Sequence, residues 1–207
     1  MRDMLLPYLP TWLETVAIAL EGMPNPNNFD ALASTMAALT SLALAVQYFT
    51  KPAGEALMPA LSRGAIMFHT IAPVWAKYSE ETDHLDPGMD SDGDTVSFEA
   101  VVTELLELVI NIAEQPKLNK LLEPNLADTL YVTMGYMTMS SSQEEMWMDD
   151  PNQFVADEDD DFGNVRAACG LMLDSLGERF GVKAVAALWN ASNRRLAESI
   201  SAQQTGD

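Results

Sequence analysis

The chain is short of positive charge. Eleven lysines and arginines face thirty-one aspartates and glutamates over 207 residues, a formal net charge of −20 at pH 7. A field of that sign repels phosphate backbones and anionic lipid and attracts basic partners, so direct nucleic-acid binding is excluded. Cysteine is all but absent. The lone Cys169 lies among apolar helical residues, so there is no disulfide framework and a reducing compartment is expected. Histidine is scarce as well. His69 falls in a helical stretch and His84 in an acidic one, neither with a second ligand at metal spacing. No apolar run of about 18 residues free of polar ones appears, and the N-terminus lacks a basic-then-apolar profile, so no membrane insertion or secretory leader is expected. A Walker loop, a dinucleotide fingerprint and a local base for Cys169 are also missing. These absences leave no catalytic constellation and imply no cofactor and no metal.

What is present is helical periodicity. The chain is 48% hydrophobic, enough for a sizeable core, and no strand pattern competes. The spacing predicts a helix over 4–21 with Trp12, Val16 and Leu20 on one face, then a loop over 23–28. Leu32, Met36, Leu39, Ala43 and Val46 mark a second helix, capped at Asn28 or Asp30 and stopped by Lys51-Pro52. Gly54, Pro59, Gly64 and Pro73 break or kink the next region, 53–77, which reads equally as one irregular helix or two shorter ones. Ser97 caps a helix whose stripe is Phe98, Val101, Val102, Leu105, Val109 and Ile112, ended by Pro116. Leu126, Leu130, Met134 and Met137 form the next. Ser142-Gln143-Glu144-Glu145 reads as a capping box opening a short helix. Val165, Ala168, Met172, Leu176 and Phe180 form a stripe closed by Gly181, and Val182, Val185, Trp189, Leu196 and Ile200 form the last. Helices with one broad apolar face and short or acidic connections suit stacked antiparallel hairpins, about 40 residues per pair. That period belongs to HEAT-type solenoids, with a compact helical bundle as the competing architecture. The expected organisation is one block over 1–207 of about four such repeats, opening in mid-pattern like a piece of something longer.

Two stretches resist burial. An acidic linker over 79–96 contains Asp90-Ser91-Asp92-Gly93-Asp94. An EF-hand counted from Asp90 needs glycine sixth and glutamate twelfth, where Thr95 and Val101 stand, so the match to a calcium loop fails. The second stretch, an acidic loop over 149–162, organises the rest. Asp150-Pro151-Asn152 reads as a turn. Trp147, Phe154 and Val155 offer apolar anchors that can pin its ends into a core. Asp157, Glu158, Asp159, Asp160 and Asp161 follow as five consecutive acids that repel one another and point outward as a solvated run open to cations. From composition alone, a disordered acidic insertion with no partner is an equal reading.

The order Trp147…Asp150-Pro151-Asn152-Gln153-Phe154-Val155…Asp157-Glu158-Asp159-Asp160-Asp161, then Val165-Arg166 and an alanine- and leucine-rich helix, closely resembles the acidic-loop region of a karyopherin-β nuclear import receptor. Leu9-Pro10-Thr11-Trp12, Pro73-Val74-Trp75, and the acidic linker feeding Phe98-Glu99 agree in the same order. The resemblance implies an all-α HEAT-repeat solenoid of which this chain is a central block. It implies a shuttling receptor, cytoplasmic and nuclear, that carries basic cargo such as core histones and ribosomal proteins, is regulated by Ran-GTP and meets nucleoporins. In that reading Trp147, Pro151 and Phe154 position the loop, and the carboxylates from Asp157 to Asp161 contact basic side chains of cargo or of Ran. The alternatives are a structural HEAT scaffold acidic only for solubility, a histone-chaperone-like binding module without transport, and a hydrolase using acidic clusters with a divalent metal.

Overall fold

The computed structural model describes residues 2–80, 88–89, 95–159 and 164–205. Its elements are α1 (Arg2–Leu5), α2 (Leu9–Ala19), α3 (Phe29–Ala53), α4 (Met58–Thr70), α5 (Ala72–Glu80), β1 (Gly88–Met89), β2 (Thr95–Val96), α6 (Phe98–Glu114), α7 (Leu126–Tyr136), α8 (Ser141–Asp149), α9 (Pro151–Asp159), α10 (Val165–Phe180) and α11 (Val182–Thr205), with short 3-10 turns between some of them. Side-chain caps start the long helices. Asn28, Ser97 and Asn164 accept from the amides of Ala31 (3.1 Å), Ala100 (3.0 Å) and Ala167 (2.9 Å), each satisfying an amide that the helix leaves open. Pro52 does not stop α3, which runs to Ala53 and ends at Gly54, φ 51°. Pro52 sits in the last turn, where little helix remains to disrupt, and the stop is the positive φ that glycine adopts without strain.

The helices stack in two rows. One row is α3, α6 and α10, and the other is α2, α4–α5, α7 and α11. Equivalent helices lie parallel. Thr40 and Gln47 of α3 hydrogen-bond Glu104 and Asn111 of α6, both at an offset of 64 residues. Asp128 to Arg194 is an offset of 66, Tyr131 to Glu198 of 67, and Phe68 to Tyr136 of 68. A near-constant offset between like positions is the mark of a solenoid, in which each pair packs on the next. A bundle would close its helices around one axis instead. The offset exceeds the expected period because each repeat carries an insertion, one between α5 and α6 and one between α7 and α10.

Helix α6 is sandwiched between α3 and α10, and its buried residues run almost all the way round: Phe98, Val101, Val102, Leu105, Leu106, Leu108, Val109, Ile112 and Ala113. An aromatic cluster joins Phe68, Trp75, Tyr78 and Tyr136 of the second row with Phe98 of the first. Within it the Tyr136 hydroxyl donates to the carbonyl of Phe68 at 2.5 Å. A stretch inside Phe29–Glu80 is long and apolar enough to cross a membrane by length and composition, mean hydropathy 1.6. The buried face of α3 is packed by α2 and α6, which accounts for that hydropathy as a core helix.

Three expectations fail locally. Val16 and Leu20 are buried as expected, but Trp12 is 38% exposed, and Leu9, Leu13 and Ala17 complete the inner face of α2. The capping box belongs to Ser140 with Gln143, two residues before Ser142. The expected stripe of α11 faces outward: Val182, Val185, Trp189, Leu196 and Ile200 are all exposed. Ala184, Ala187 and Ala191 are the buried face instead. Small residues let α11 approach α7 closely, so that Arg195 reaches the Tyr131 carbonyl at 2.9 Å and lies 3.8 Å over the Tyr131 ring.

Candidate functional site: an acidic edge

Both insertions leave the solenoid at the same edge. The linker starts where α5 ends, at Glu80. Its far end returns through a two-stranded antiparallel ladder, Gly88 opposite Val96 and Met89 opposite Thr95. Such a short ladder appears because Gly88 lets it rest on α3: a Cβ there would lie 1.8 Å from Cε2 of Phe29. Val96, in the second strand, is buried. The ladder closes on Asp90-Ser91-Asp92-Gly93-Asp94; that pentad, 81–87 and His84 lie outside the described residues.

The second insertion is rooted beside the first. Ser140 is buried, and its hydroxyl accepts from the Gln143 amide at 3.2 Å while Gln143 Oε1 accepts from the Ser140 amide at 3.1 Å. The next hydroxyl, Ser141, donates to the carbonyl of Glu80 at 3.3 Å. The starts of the two acidic segments therefore touch, although 61 residues separate them in the chain.

Beyond that root the structure departs from an extended loop over 149–162. Helix α8 ends at Asp149, and its cap Asp150 is extended, the conformation favoured before a proline. Pro151 opens α9, a position where its missing amide costs nothing. Asp150 Oδ1 accepts from the Asn152 backbone amide at 3.0 Å and from Asn152 Nδ2 at 3.1 Å, fixing the break. The predicted turn is thus the joint of a helical hairpin. Trp147 and Phe154 meet across it edge to face, ring centroids 5.0 Å apart. They anchor one helix to the other rather than the hairpin to the core. Phe154 is 40% and Val155 57% exposed, Pro151 is exposed, and none of the described side chains of α8 and α9 is buried.

Asp157, Glu158 and Asp159 occupy the last turn of α9; their side chains, and Asp160 and Asp161 altogether, lie outside the described residues. Three acids at a helix C-terminus oppose the helix dipole, by about 0.3–1 kcal/mol each at low ionic strength. Nothing basic is near in sequence. No lysine or arginine lies between Lys120 and Arg166, an interval holding eleven aspartates and glutamates. Several of the chain's cations are engaged on the second row instead: Arg63 with Glu21 at 2.7 Å, Arg194 with Asp128 at 3.3 Å, and Lys183 with Glu123.

Stacking adds a feature that local sequence did not indicate. Between α6 and α10 lies a groove of about 710 Å³ lined by Ile110, Glu114, Leu171, Asp174, Ser175, Glu178 and Arg179. Arg179 donates to the Glu114 carbonyl at 3.3 Å. The acids come from helices 60 residues apart, and only the repeat offset joins them. A second hollow gathers His69, Asn125, Asp128, Tyr131, Val132 and Arg194. Burial lowers the His69 pKa from its ordinary value, with Asp128 opposing. Burial pushes the Cys169 thiol well up, as it does the Tyr136 hydroxyl, which keeps that cysteine an unreactive core thiol. Among the described residues no group of three or more histidines, cysteines, aspartates and glutamates is placed to hold a metal.

No protein-family model matches the chain. It is similar to Importin-9 of Drosophila melanogaster, 34% identical over 132 residues. The match takes in 60% of this chain and 13% of that protein, so the chain spans a small part of its relative's length. That similarity bears out the resemblance to an import receptor, and it points to a transport receptor rather than an enzyme family.

Proposed function

We propose, from the similarity to an importin, that this chain is a HEAT-repeat stretch of a nuclear import receptor that carries strongly basic proteins between cytoplasm and nucleus. The observation that carries the reading beyond the family is the Ser141–Glu80 contact, which sets the roots of both acidic insertions side by side on one edge. In this reading the carboxylates from Asp157 to Asp161, with those of the linker, form an anionic arm that meets lysines and arginines of the cargo. Core histones and ribosomal proteins fit that chemistry. The attraction steers encounter over a Debye length and shields the cargo's charge once bound. A basic partner also removes the unfavourable interaction between the last-turn acids of α9 and the helix dipole. Trp147, Pro151 and Phe154 set the direction of the arm. Release by Ran-GTP and contact with nucleoporins belong to the whole receptor, of which this chain is a short stretch.

The test is a pull-down of a core histone dimer at rising salt. Binding is expected to weaken as the Debye length contracts from about 10 Å at 0.1 M to about 3 Å at 1 M. Charge reversal at Asp159, Asp160 and Asp161 is expected to weaken it at low salt. Capture indifferent to both changes would leave a structural scaffold as the better reading.

A further inference from the structure

An arm that acted by charge alone would need no large apolar side chains in water, yet the α8–α9 hairpin carries several. Met148 is 78%, Val155 57%, Met146 48% and Phe154 40% exposed. The hairpin is not loose at its base, where the Ser140–Gln143 box and the Ser141–Glu80 bond hold α8 against the end of α5. Nor is it loose at its joint, where Asp150 holds Asn152 and Trp147 fixes the ring of Phe154 from its edge. A ring fixed before binding loses little freedom on insertion, and methionine adapts to an irregular pocket.

We propose that Met148, Phe154 and Val155 form a docking crest that enters an apolar pocket on a basic protein, while carboxylates around the crest grip the lysines and arginines at the pocket's rim. The choice of occupant rests on charge. The described part of the hairpin bears Glu144, Glu145, Asp149 and Asp150, all exposed, and no lysine or arginine. A second copy of this chain would bring another net charge of −20 against them, and an anionic bilayer is repelled for the same reason. An apolar centre with a charged rim is the usual anatomy of a protein interface, in which a few buried anchors carry most of the affinity. The inference deepens the import-receptor reading and rests on its claim that the partner is basic.

The experiment compares two variants of the whole chain, Met148→Ser/Phe154→Ser with every charge kept, and Glu144→Gln/Glu145→Gln/Asp149→Asn with every apolar group kept. The probes are a core histone dimer and polylysine, which is basic but has no apolar pocket. The apolar variant is expected to bind the histone dimer about tenfold more weakly at both low and high salt, with the salt slope and polylysine binding unchanged. The charge variant is expected to flatten the salt slope for both probes. Val155→Ser, which removes neither ring of the Trp147–Phe154 pair, repeats the apolar test, with helix content by circular dichroism as the folding control. Parent-like histone binding by both apolar variants overturns the crest and leaves the charged arm standing. Equal weakening toward polylysine also overturns it. A parent chain that binds neither probe overturns the receptor reading itself.

Discussion

At the scale of single residues, two positions show what packing demands beyond hydrophobicity. Gly88 belongs to a two-residue strand, and its hydrogen is all that fits against Phe29, whose Cε2 would lie 1.8 Å from an added Cβ. Gly88→Ala is expected to cost about 1–2 kcal/mol by displacing the ring and the ladder above it. Phe29→Ala in the same chain restores the room, so urea denaturation of the double mutant should show less than the sum of the single losses. His69 gives a residue-scale pH dependence. Its folded pKa lies below the ordinary 6.5 because burial disfavours the imidazolium more than Asp128 favours it. The unfolded chain therefore takes up the proton first. The stability this histidine contributes is whole above about pH 6.5 and is lost as pH falls toward the lower folded value. His69→Gln should lose less stability than the parent between about pH 7.5 and pH 5, read from urea midpoints at each pH. A variant that loses more would show that Asp128 dominates.

Elements obey their neighbours as much as their own patterns. In α11 the larger apolar residues form a regular stripe, yet the packed face is Ala184, Ala187 and Ala191. The reason lies across the gap in α7, where Gly135 leaves space for Arg195, whose Nη2 would lie 2.4 Å from a Cβ there. Arg194 and Arg195 both lie 3.8 Å from the centroid of the Tyr131 ring. Close approach needs small side chains, and the large ones are left outside. Ala187→Leu is expected to overpack this contact and cost about 1–3 kcal/mol. Trp189→Ser, at a position 70% exposed, should change stability by no more than about 0.5 kcal/mol. Thermal unfolding of the two variants side by side checks the orientation of the helix, since the reverse order would mean the stripe faces inward.

For the whole molecule, self-repulsion is the dominant electrostatic fact. The ion pairs Arg63–Glu21, Lys183–Glu123 and Arg194–Asp128 are exposed and worth about 0–1 kcal/mol each. They do not offset a net charge of −20. Raising sodium chloride from about 0.01 to 0.5 M contracts the Debye length from about 30 Å to a few ångströms, so Tm should rise with salt in calorimetry. A fall would mean that the ion pairs outweigh the repulsion. The same salt weakens the proposed grip on a basic partner, so stability and binding are expected to move in opposite directions.

The sequence by itself determined the long helices, the caps at Asn28 and Ser97 and the glycine stop at Gly181, the buried stripe of α6 and the anionic character of both insertions. These follow from local periodicity, local hydrogen bonding and composition, which need no partner to be legible. Tertiary structure alone decided which face of α11 is buried, that Trp12 is left partly outside α2, that a ladder stands in the linker, and that the second insertion is a helical hairpin with its aromatic pair turned on itself. It also decided that the two acidic segments rise from one edge. The shared edge, the packed face of α11 and the seat of the ladder on Phe29 depend on residues about 60 positions apart being brought together, and a linear pattern carries no distance of that kind. The hairpin joint is local, from Trp147 to Phe154, but its acidic, proline-broken stretch carries no clear helical stripe.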